Sequence, residues 1–122
     1  MRAVKVLIVE DEFLIAEDLK TTLEELGYEV LGPALSCSSA LEVLWSNKPD
    51  LALIDTQLGS ETCQVVVEEC RLQSIPMVIC SGHFQSELPD YCKDLPLLGK
   101  PYHRTTVMAA MRASAPIEGQ VP

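Results

Sequence analysis

Short apolar runs alternate with stretches of helical length along almost the whole chain, and this alternation restricts the fold more than any other feature of the sequence. Within the longer stretches, apolar residues recur at the spacing of one helix face. The predicted strands are 4–9, 28–31, 51–54, 75–80 and 95–98, and the predicted helices are 12–26, 36–47, 61–71 and 104–113. Strands that alternate with helices favour right-handed βαβ units and a parallel sheet that is covered on both faces.

The length of the chain narrows the choice among such folds. Its 122 residues suffice for one domain with a continuous core. Five βα units in so short a chain predict an α/β fold of the flavodoxin-like, doubly wound type, whose five-stranded parallel sheet has the strand order 2-1-3-4-5. We expect the domain to occupy residues 1–113 and residues 114–122 to form a C-terminal tail. Whether the chain is a whole protein or one domain of a longer protein stays open.

The connection after the fourth strand fits the alternation least well. A helix is expected between residues 82 and 94, but the apolar periodicity is poor and Pro89 interrupts the stretch. Proline in a helix interior removes a hydrogen bond and costs about 3 kcal/mol. We therefore predict a shortened fourth helix over 83–88 or an irregular loop. Such a weakly stabilised connection would be the mobile, partner-facing part of the surface.

Composition argues against several classes of function. The net charge is −9 and the nine basic residues are scattered, whereas proteins bind nucleic acid through clustered Lys and Arg. No apolar run approaches the roughly 20 residues of a membrane span, and none has the form of a signal peptide, so we expect a cytoplasmic protein without membrane contact. The five cysteines contain no C-x-x-C pair, which argues against a zinc or redox motif and favours buried, reduced thiols.

Polar residues that can bind ions follow four of the predicted strands. Glu10 and Asp11 follow the first strand, Asp55 the third, Ser81 the fourth and Lys100 the fifth. Any one of them could be an ordinary polar residue where a strand meets a loop. In a 2-1-3-4-5 sheet, however, ligands bind at the carboxyl ends of the strands, where the chain direction reverses between strands one and three. The presence of ion-binding residues at four strand ends therefore predicts a functional site.

Three carboxylates at one edge of a sheet have a definite chemical consequence. They repel one another and stay ionised together only near a cation. Mg²⁺ fits best, because it is bound by a few carboxylates together with water and a substrate phosphate. A carboxylate such as that of Asp55 can attack phosphorus and form an aspartyl phosphate. Lys100 and the ion could then neutralise the phosphoryl oxygens, and Ser81 could donate a hydrogen bond to one of them.

In this order and at these separations, the motifs resemble one known family, the response-regulator receiver domains of two-component signalling. The matching residues are 6–12, 51–55 with Leu58-Gly59, Ser81-Gly82 and Lys100-Pro101-Tyr102, within a resemblance that covers residues 4–113. The resemblance implies a switch that takes a phosphoryl group from a histidine kinase or a histidine phosphotransfer protein and signals through contacts with a downstream protein. It implies no enzymatic activity beyond self-phosphorylation and autodephosphorylation.

The resemblance also assigns roles at the acidic end of the sheet. Asp55 would accept the phosphoryl group and contribute to the Mg²⁺ site. Asp11 would bind Mg²⁺ directly and Glu10 mostly through water. The backbone carbonyl of Gln57 would complete the site.

On the switching side, the chain both matches the family and departs from it. Ser81 would be the hydroxyl that moves toward the phosphoryl group, and Lys100 would be the counter-ion, preceding a cis peptide bond to Pro101. However, serine replaces the commoner threonine, and Leu97 stands where many members carry an aromatic switch residue. Gly82-His83-Phe84 resembles a group of single-domain receivers, best known in alphaproteobacteria, that have a glycine–aromatic motif after strand four and a degenerate fourth helix.

Three other interpretations of the same fold agree less well with the residues. A haloacid-dehalogenase-like phosphatase also uses an aspartate nucleophile, but it would need a second acid at the position of Gln57 and usually a cap domain. A flavin- or nucleotide-binding module would need a phosphate loop after strand one, where residues 10–12 are acidic. A non-phosphorylatable pseudo-receiver normally lacks the acceptor or the lysine. The phosphatase and the pseudo-receiver are kept as alternatives.

Overall fold

The computed structural model describes residues 3–115, which contain seven β-strands and four α-helices. The strands are β1 Lys5–Val9, β2 Glu29–Ala34, β3 Leu51–Asp55, β4 Gln57–Leu58, β5 Glu61–Thr62, β6 Met77–Ser81 and β7 Leu97–Gly99. The helices are α1 Phe13–Glu25, α2 Cys37–Ser46, α3 Gln64–Leu72 and α4 Arg104–Ser114. A 3₁₀ turn, Gln85–Glu87, lies between β6 and β7.

Five of the strands form one parallel sheet in the order β2-β1-β3-β6-β7. Counted without the two-residue strands β4 and β5, this is the predicted 2-1-3-4-5 order, so the flavodoxin-like fold is confirmed. β1 pairs with β3 from Val6 opposite Leu51 to Val9 opposite Ile54. Because the winding direction reverses between these two neighbours, their carboxyl ends form the switch point at which ligands bind in such sheets.

Aliphatic side chains cover both faces of the sheet. Residues 6–9 of β1 and 51–54 of β3 are all buried, as expected for central strands of a parallel sheet. Leu7 belongs to the core on the side of α2 and α3, whereas Ile8 belongs to the core on the side of α1 and α4. The ends of these strands are therefore held from both faces by packed layers.

Local signals set the ends of the first two helices. Ser36 precedes α2, and its Oγ accepts a hydrogen bond from the Ser39 backbone N–H at 3.2 Å. After α1 the chain turns at Gly27, whose φ of +98° is easily adopted only by glycine. The predicted limits of both helices differ from the observed ones only by their cap residues.

Strand β2 is longer than predicted. The sequence predicts a strand that ends at residue 31, before Gly32-Pro33, but β2 continues through both residues to Ala34. Gly32 has a φ of +97°, and a Cβ at this position would lie only 2.7 Å from the Ala34 backbone nitrogen. The register with β1 shifts at this point. Proline is tolerated here because β2 is an edge strand, and the Gly32–Pro33 peptide bond is cis.

A short antiparallel hairpin replaces a predicted loop and the start of a predicted helix. Strand β4, residues 57–58, pairs with strand β5, residues 61–62. Gly59 in the connecting turn has a φ of +63°. Helix α3 therefore begins at Gln64 rather than at residue 61.

The connection between β6 and β7, called the 82–96 segment below, contains no α-helix. Its regular structure is limited to the 3₁₀ turn Gln85–Glu87, which confirms the predicted shortening of the fourth helix. Leu88 and Cys92 are buried and attach the segment to the core on the side of α2 and α3. Nε2 of Gln85 donates to the backbone oxygens of Lys93 and Leu95, at 2.8 Å in both cases.

The cysteines and the last helix lie close to where the sequence predicts them. All five cysteines fall within residues 3–115 and are buried and free, as expected. Helix α4 ends at Ser114, one residue later than predicted, and residues 116–122 of the predicted tail lie outside the described residues. None of the helices within residues 3–115 has the length and apolar character of a membrane span.

Candidate functional site

The carboxyl ends of four sheet strands bring the predicted site residues together. Glu10 directly follows β1, Asp55 ends β3, Ser81 ends β6 and Lys100 directly follows β7. A cavity of about 270 Å³ opens at this edge of the sheet. Its lining consists of Asp11, Glu12, Asp55, Thr56, Gln57, Ser81, Gly82, His83 and Lys100. Glu10, Asp11, Asp55 and Lys100 are called the acid site below.

The ammonium group of Lys100 joins two buried carboxylates. Its Nζ lies 2.9 Å from Oδ2 of Asp55 and 2.7 Å from Oε1 of Glu10. Both carboxylates are buried, whereas 24% of the Lys100 side chain is exposed. Burial acts to lower the pKa of Lys100, but the contacts with the Glu10 and Asp55 carboxylates outweigh it, so the pKa is raised and the ammonium group stays charged.

The charge of Lys100 does not fully offset the burial of the Glu10 carboxyl group and its repulsion by Asp55. Its pKa is raised to about 7, mainly by burial and then by the neighbouring Asp55 carboxyl group, against the opposing effect of Lys100. Oε2 accepts a hydrogen bond from the Glu12 backbone N–H at 3.3 Å. Oε1 is fully buried and has the Lys100 ammonium beside it, but makes no hydrogen bond of good geometry to the described residues. Two buried acids that share one ammonium group can accommodate a further positive charge.

The carboxylates are arranged as a ligand set for a divalent cation. One oxygen atom from each of Glu10, Asp11 and Asp55 lies within 4.8 Å of the other two. Such a set of carboxylate oxygens suits Mg²⁺. Oδ2 of Asp11 accepts a hydrogen bond from the Gly59 backbone N–H at 2.8 Å, which attaches Asp11 to the β4–β5 hairpin. The Gln57 backbone N–H donates to Oδ1 of Asp55 at 3.3 Å, and a metal-binding role of the Gln57 carbonyl stays a prediction.

Ser81 connects the cavity with the 82–96 segment. Its side chain is buried, and its Oγ accepts a hydrogen bond from the His83 backbone N–H at 3.0 Å. Its backbone oxygen accepts a hydrogen bond from the Lys100 N–H at 2.9 Å. A movement of Ser81 Oγ away from His83 would therefore change a contact at the start of the segment. The Lys100–Pro101 peptide bond is cis, as the resemblance implies.

Two aromatic-ring residues lie at the site although the sequence analysis assigns them no role there. His83 lines the cavity, and the ring of Tyr102 has its centroid 6.0 Å from Lys100 Nζ. Each follows a predicted site residue by two positions, His83 after Ser81 and Tyr102 after Lys100. The chain bends after both strands and the Lys100–Pro101 bond is cis, so no regular alternation of side chains indicates either residue.

The doubly wound fold and the acidic switch point define a small α/β domain with a site suited to a divalent cation and a phosphoryl group. The family model described as the response regulator receiver domain matches residues 6–111. The chain therefore belongs to the response-regulator receiver domains of two-component systems.

Individual relatives show how far the likeness extends. The transcriptional regulatory protein PdtaR of Mycobacterium tuberculosis (strain ATCC 25618 / H37Rv) is 30% identical over 128 residues, which cover 96% of this chain and 62% of PdtaR. The crystal structure of the response regulator PhyR from Brucella abortus has a TM-score of 0.81 and 30% identity, over 93% of this chain and 48% of PhyR. A CheY-like receiver domain from Methylobacillus flagellatus has a TM-score of 0.80 and 25% identity, over 92% and 98% of the two chains. This chain thus spans about half to three fifths of PhyR and PdtaR.

Proposed function

We propose that this domain accepts a phosphoryl group on Asp55 from a histidine kinase or a histidine phosphotransfer protein. One observation carries the proposal. The Asp55 carboxylate is buried at the switch point, 2.9 Å from the Lys100 ammonium and within 4.8 Å of oxygen atoms of Glu10 and Asp11. A carboxylate placed between a fixed cation and a cation-binding acid pair suits attack on a phosphoryl group.

The reaction would be an in-line displacement with Asp55 as the nucleophile. A carboxylate oxygen of Asp55 forms the new bond to phosphorus while the bond from phosphorus to the imidazole nitrogen of the donor breaks. The electron pair of the broken bond stays on the imidazole, which takes a proton from solvent. Lys100 would attract the phosphoryl oxygens during the transfer and remain their counter-ion afterwards.

Glu10, Asp11 and Asp55, together with the backbone carbonyl of Gln57, would hold a Mg²⁺ ion. The bound ion supplies positive charge that the phosphoryl oxygens and the carboxylates both need. This fit is supported by the spacing of the three carboxylates and by the burial of Glu10 and Asp55 beside a single ammonium group.

Ser81 would pass the change of state on to the rest of the domain. Its hydroxyl would turn from the His83 N–H toward a phosphoryl oxygen and so alter the start of the 82–96 segment. A downstream protein would read this surface, and the domain would act in the cytoplasm on no substrate other than its own phosphoryl group. PdtaR is named a transcriptional regulatory protein, and a comparable output of this chain would act through such a protein contact.

The two alternatives meet specific difficulties at the site. A haloacid-dehalogenase-like phosphatase would need an acid at position 57, where Gln57 is exposed and donates Nε2 to the Gly59 carbonyl at 3.0 Å. A pseudo-receiver would lack the acceptor or the lysine, yet Asp55 and Lys100 form an ion pair. Phosphoryl acceptance is the function that uses every member of the acid site.

The test is incubation with acetyl phosphate and Mg²⁺, followed by measurement of the intact mass. We expect the mass of one added phosphoryl group, and no addition in Asp55→Asn or in the presence of a chelator. Asp90→Asn is the matched control, because the Asp90 side chain is fully exposed and lies outside the acid site. Equal labelling of Asp55→Asn and the control would exclude the proposed role.

A further inference from the structure

Tyr102 touches the acid site from the side of α1 and α4. Its ring centroid lies 6.0 Å from Lys100 Nζ, within the range at which an aromatic ring attracts a cation. The half-buried side chain also packs against the core on that side of the sheet. The aromatic contact comes from this residue rather than from the strand before it, because β7 consists of Leu97, Leu98 and Gly99.

The hydroxyl of Tyr102 points away from bulk solvent, as its raised pKa shows. The Tyr102 hydroxyl lies near the thiol of Cys80, which is buried in β6 next to Ser81. Burial, followed by the neighbouring thiol, raises the pKa of Tyr102 well above its ordinary value, so the hydroxyl stays protonated and able to donate. The ring therefore packs against the core, and the Lys100 ammonium group lies over its face.

The Lys100 side chain is flexible and has space beside it into which it could move. The lysine side chain is a flexible four-carbon chain that ends in a point charge. The two carboxylates attract the ammonium group but do not fix its direction, as they would fix a guanidinium group bound in a bidentate manner. Part of the Lys100 side chain also lines a groove of about 500 Å³ along α1, which it shares with Pro101 and Tyr102. The ammonium group could turn toward this groove if nothing opposed it.

We infer that Tyr102 is a positioning residue for phosphoryl acceptance, because its ring keeps the Lys100 ammonium group between Glu10 and Asp55 and out of the groove. The inference rests on the proposed function of Asp55. If the inference is correct, Tyr102, which lines the groove, contributes to the acid site by holding Lys100 in position.

The experiment compares Tyr102→Leu, which removes the ring, with Tyr102→Phe, which keeps the ring and removes the hydroxyl. Tyr28→Leu is the matched control, because Tyr28 is a half-buried tyrosine that packs against the same core away from the acid site. The first measurement is the NMR signal of the Lys100 side chain in lysine-labelled protein, assigned by its loss in Lys100→Arg. The second is the initial rate of labelling by acetyl phosphate with Mg²⁺.

We expect Tyr102→Leu to shift the Lys100 signal and to slow labelling about two- to fivefold, the factor that corresponds to loss of an exposed cation–π contact. Tyr102→Phe and Tyr28→Leu should keep the signal and the rate of the wild type. An unchanged Lys100 signal and rate in Tyr102→Leu would overturn the inference. Equal losses in Tyr102→Phe and Tyr102→Leu would also overturn it, because the hydroxyl contact rather than the ring would then be responsible.

The two measurements separate this inference from the proposed function. Failure of the wild type to take any label would contradict the role of Asp55, whereas the NMR comparison needs no phosphoryl donor. If the wild type takes label and the Lys100 signal is insensitive to the ring, the proposed function stands and Tyr102 has no positioning role.

Discussion

The acid site and the 82–96 segment meet at Ser81, and they are held in place by different means. At the acid site, Asp55 ends a strand that is hydrogen-bonded on both sides, and Glu10 directly follows another such strand. The 82–96 segment has one 3₁₀ turn, and its position depends on a few individual contacts. One of them is made by Leu88, which is buried in the core. A change of charge at a rigid edge should therefore be absorbed mainly by the weakly held segment beside it.

Removal of the cation at the rigid side should have the largest effect on the conformational response. We expect Lys100→Ala to lose the conformational response to the phosphoryl mimic beryllofluoride, because neither the phosphoryl oxygens nor the carboxylates then have their fixed counter-charge. The free energy of unfolding should fall by about 1–3 kcal/mol, since Glu10 and Asp55 lose their shared partner. Added Mg²⁺ should restore most of this loss, and its affinity should rise because a competing cation is gone.

Urea unfolding with and without Mg²⁺, together with near-ultraviolet circular dichroism, measures both effects. Lys93→Ala is the matched control, because Lys93 is half-exposed and its 3.7 Å pair with Asp90 should contribute less than about 0.5 kcal/mol. A wild-type response to beryllofluoride in Lys100→Ala would show that Lys100 is not the counter-ion.

The attachment of the 82–96 segment to the core can be broken at Leu88. Leu88→Ala should lower the free energy of unfolding by about 2–4 kcal/mol, because the side chain is buried and its removal leaves a cavity. Phe84→Ala, in the same segment but 78% exposed, should change it by less than about 0.5 kcal/mol. Urea unfolding measures both variants. Similar values for the two would mean that the segment is not docked through its buried side chains.

Hydrogen exchange compares the two regions directly. On addition of beryllofluoride and Mg²⁺, we expect the largest change in amide protection between residues 81 and 102, of roughly tenfold or about 1.4 kcal/mol. The strands that carry Glu10 and Asp55 should change less, because both are central in the sheet. A change confined to residues 56–63, on the β4–β5 hairpin, would reverse the assignment of the rigid and responsive regions.

A smaller effect should follow from loss of one polar side chain within the segment. Gln85→Ala removes the two hydrogen bonds to the backbone oxygens of Lys93 and Leu95 and should cost about 1 kcal/mol in the free energy of unfolding. Gln64→Ala is the control, because its exposed hydrogen bond to Glu68 lies within α3. If the two variants were equally stable, the Gln85 contacts would contribute nothing to the shape of the segment.

The acid site could be predicted because its residues follow buried strands. The positions of Glu10 and Asp55 depend on where an apolar run ends and on the strand order, and both can be inferred from a pattern of residue types. Once the order 2-1-3-4-5 is assumed, the strand ends must meet at one edge. The convergence of these residues therefore needed no information beyond the strand order.

Other parts of the molecule depend on contacts that no local pattern contains. Gly32-Pro33 has the composition of a turn, but β2 passes through it because an edge strand tolerates both residues. The β4–β5 hairpin is held by the bond from the Gly59 N–H to Asp11, which are far apart in the sequence. The ring of Tyr102 reaches Lys100 only through the path of the chain around Pro101. These features are set by tertiary contacts and were therefore missed.

The most direct test of phosphoryl acceptance is to locate the modified residue. Wild-type protein treated with acetyl phosphate and Mg²⁺ would be reduced with borohydride, which converts an acyl phosphate on aspartate into homoserine, and its peptides would be identified by mass spectrometry. We expect one converted residue, Asp55, and none when Mg²⁺ is chelated. Conversion at Asp11 with Asp55 intact, or a phosphoryl group on Ser81 or His83 instead, would contradict the assignment of Asp55 as the acceptor.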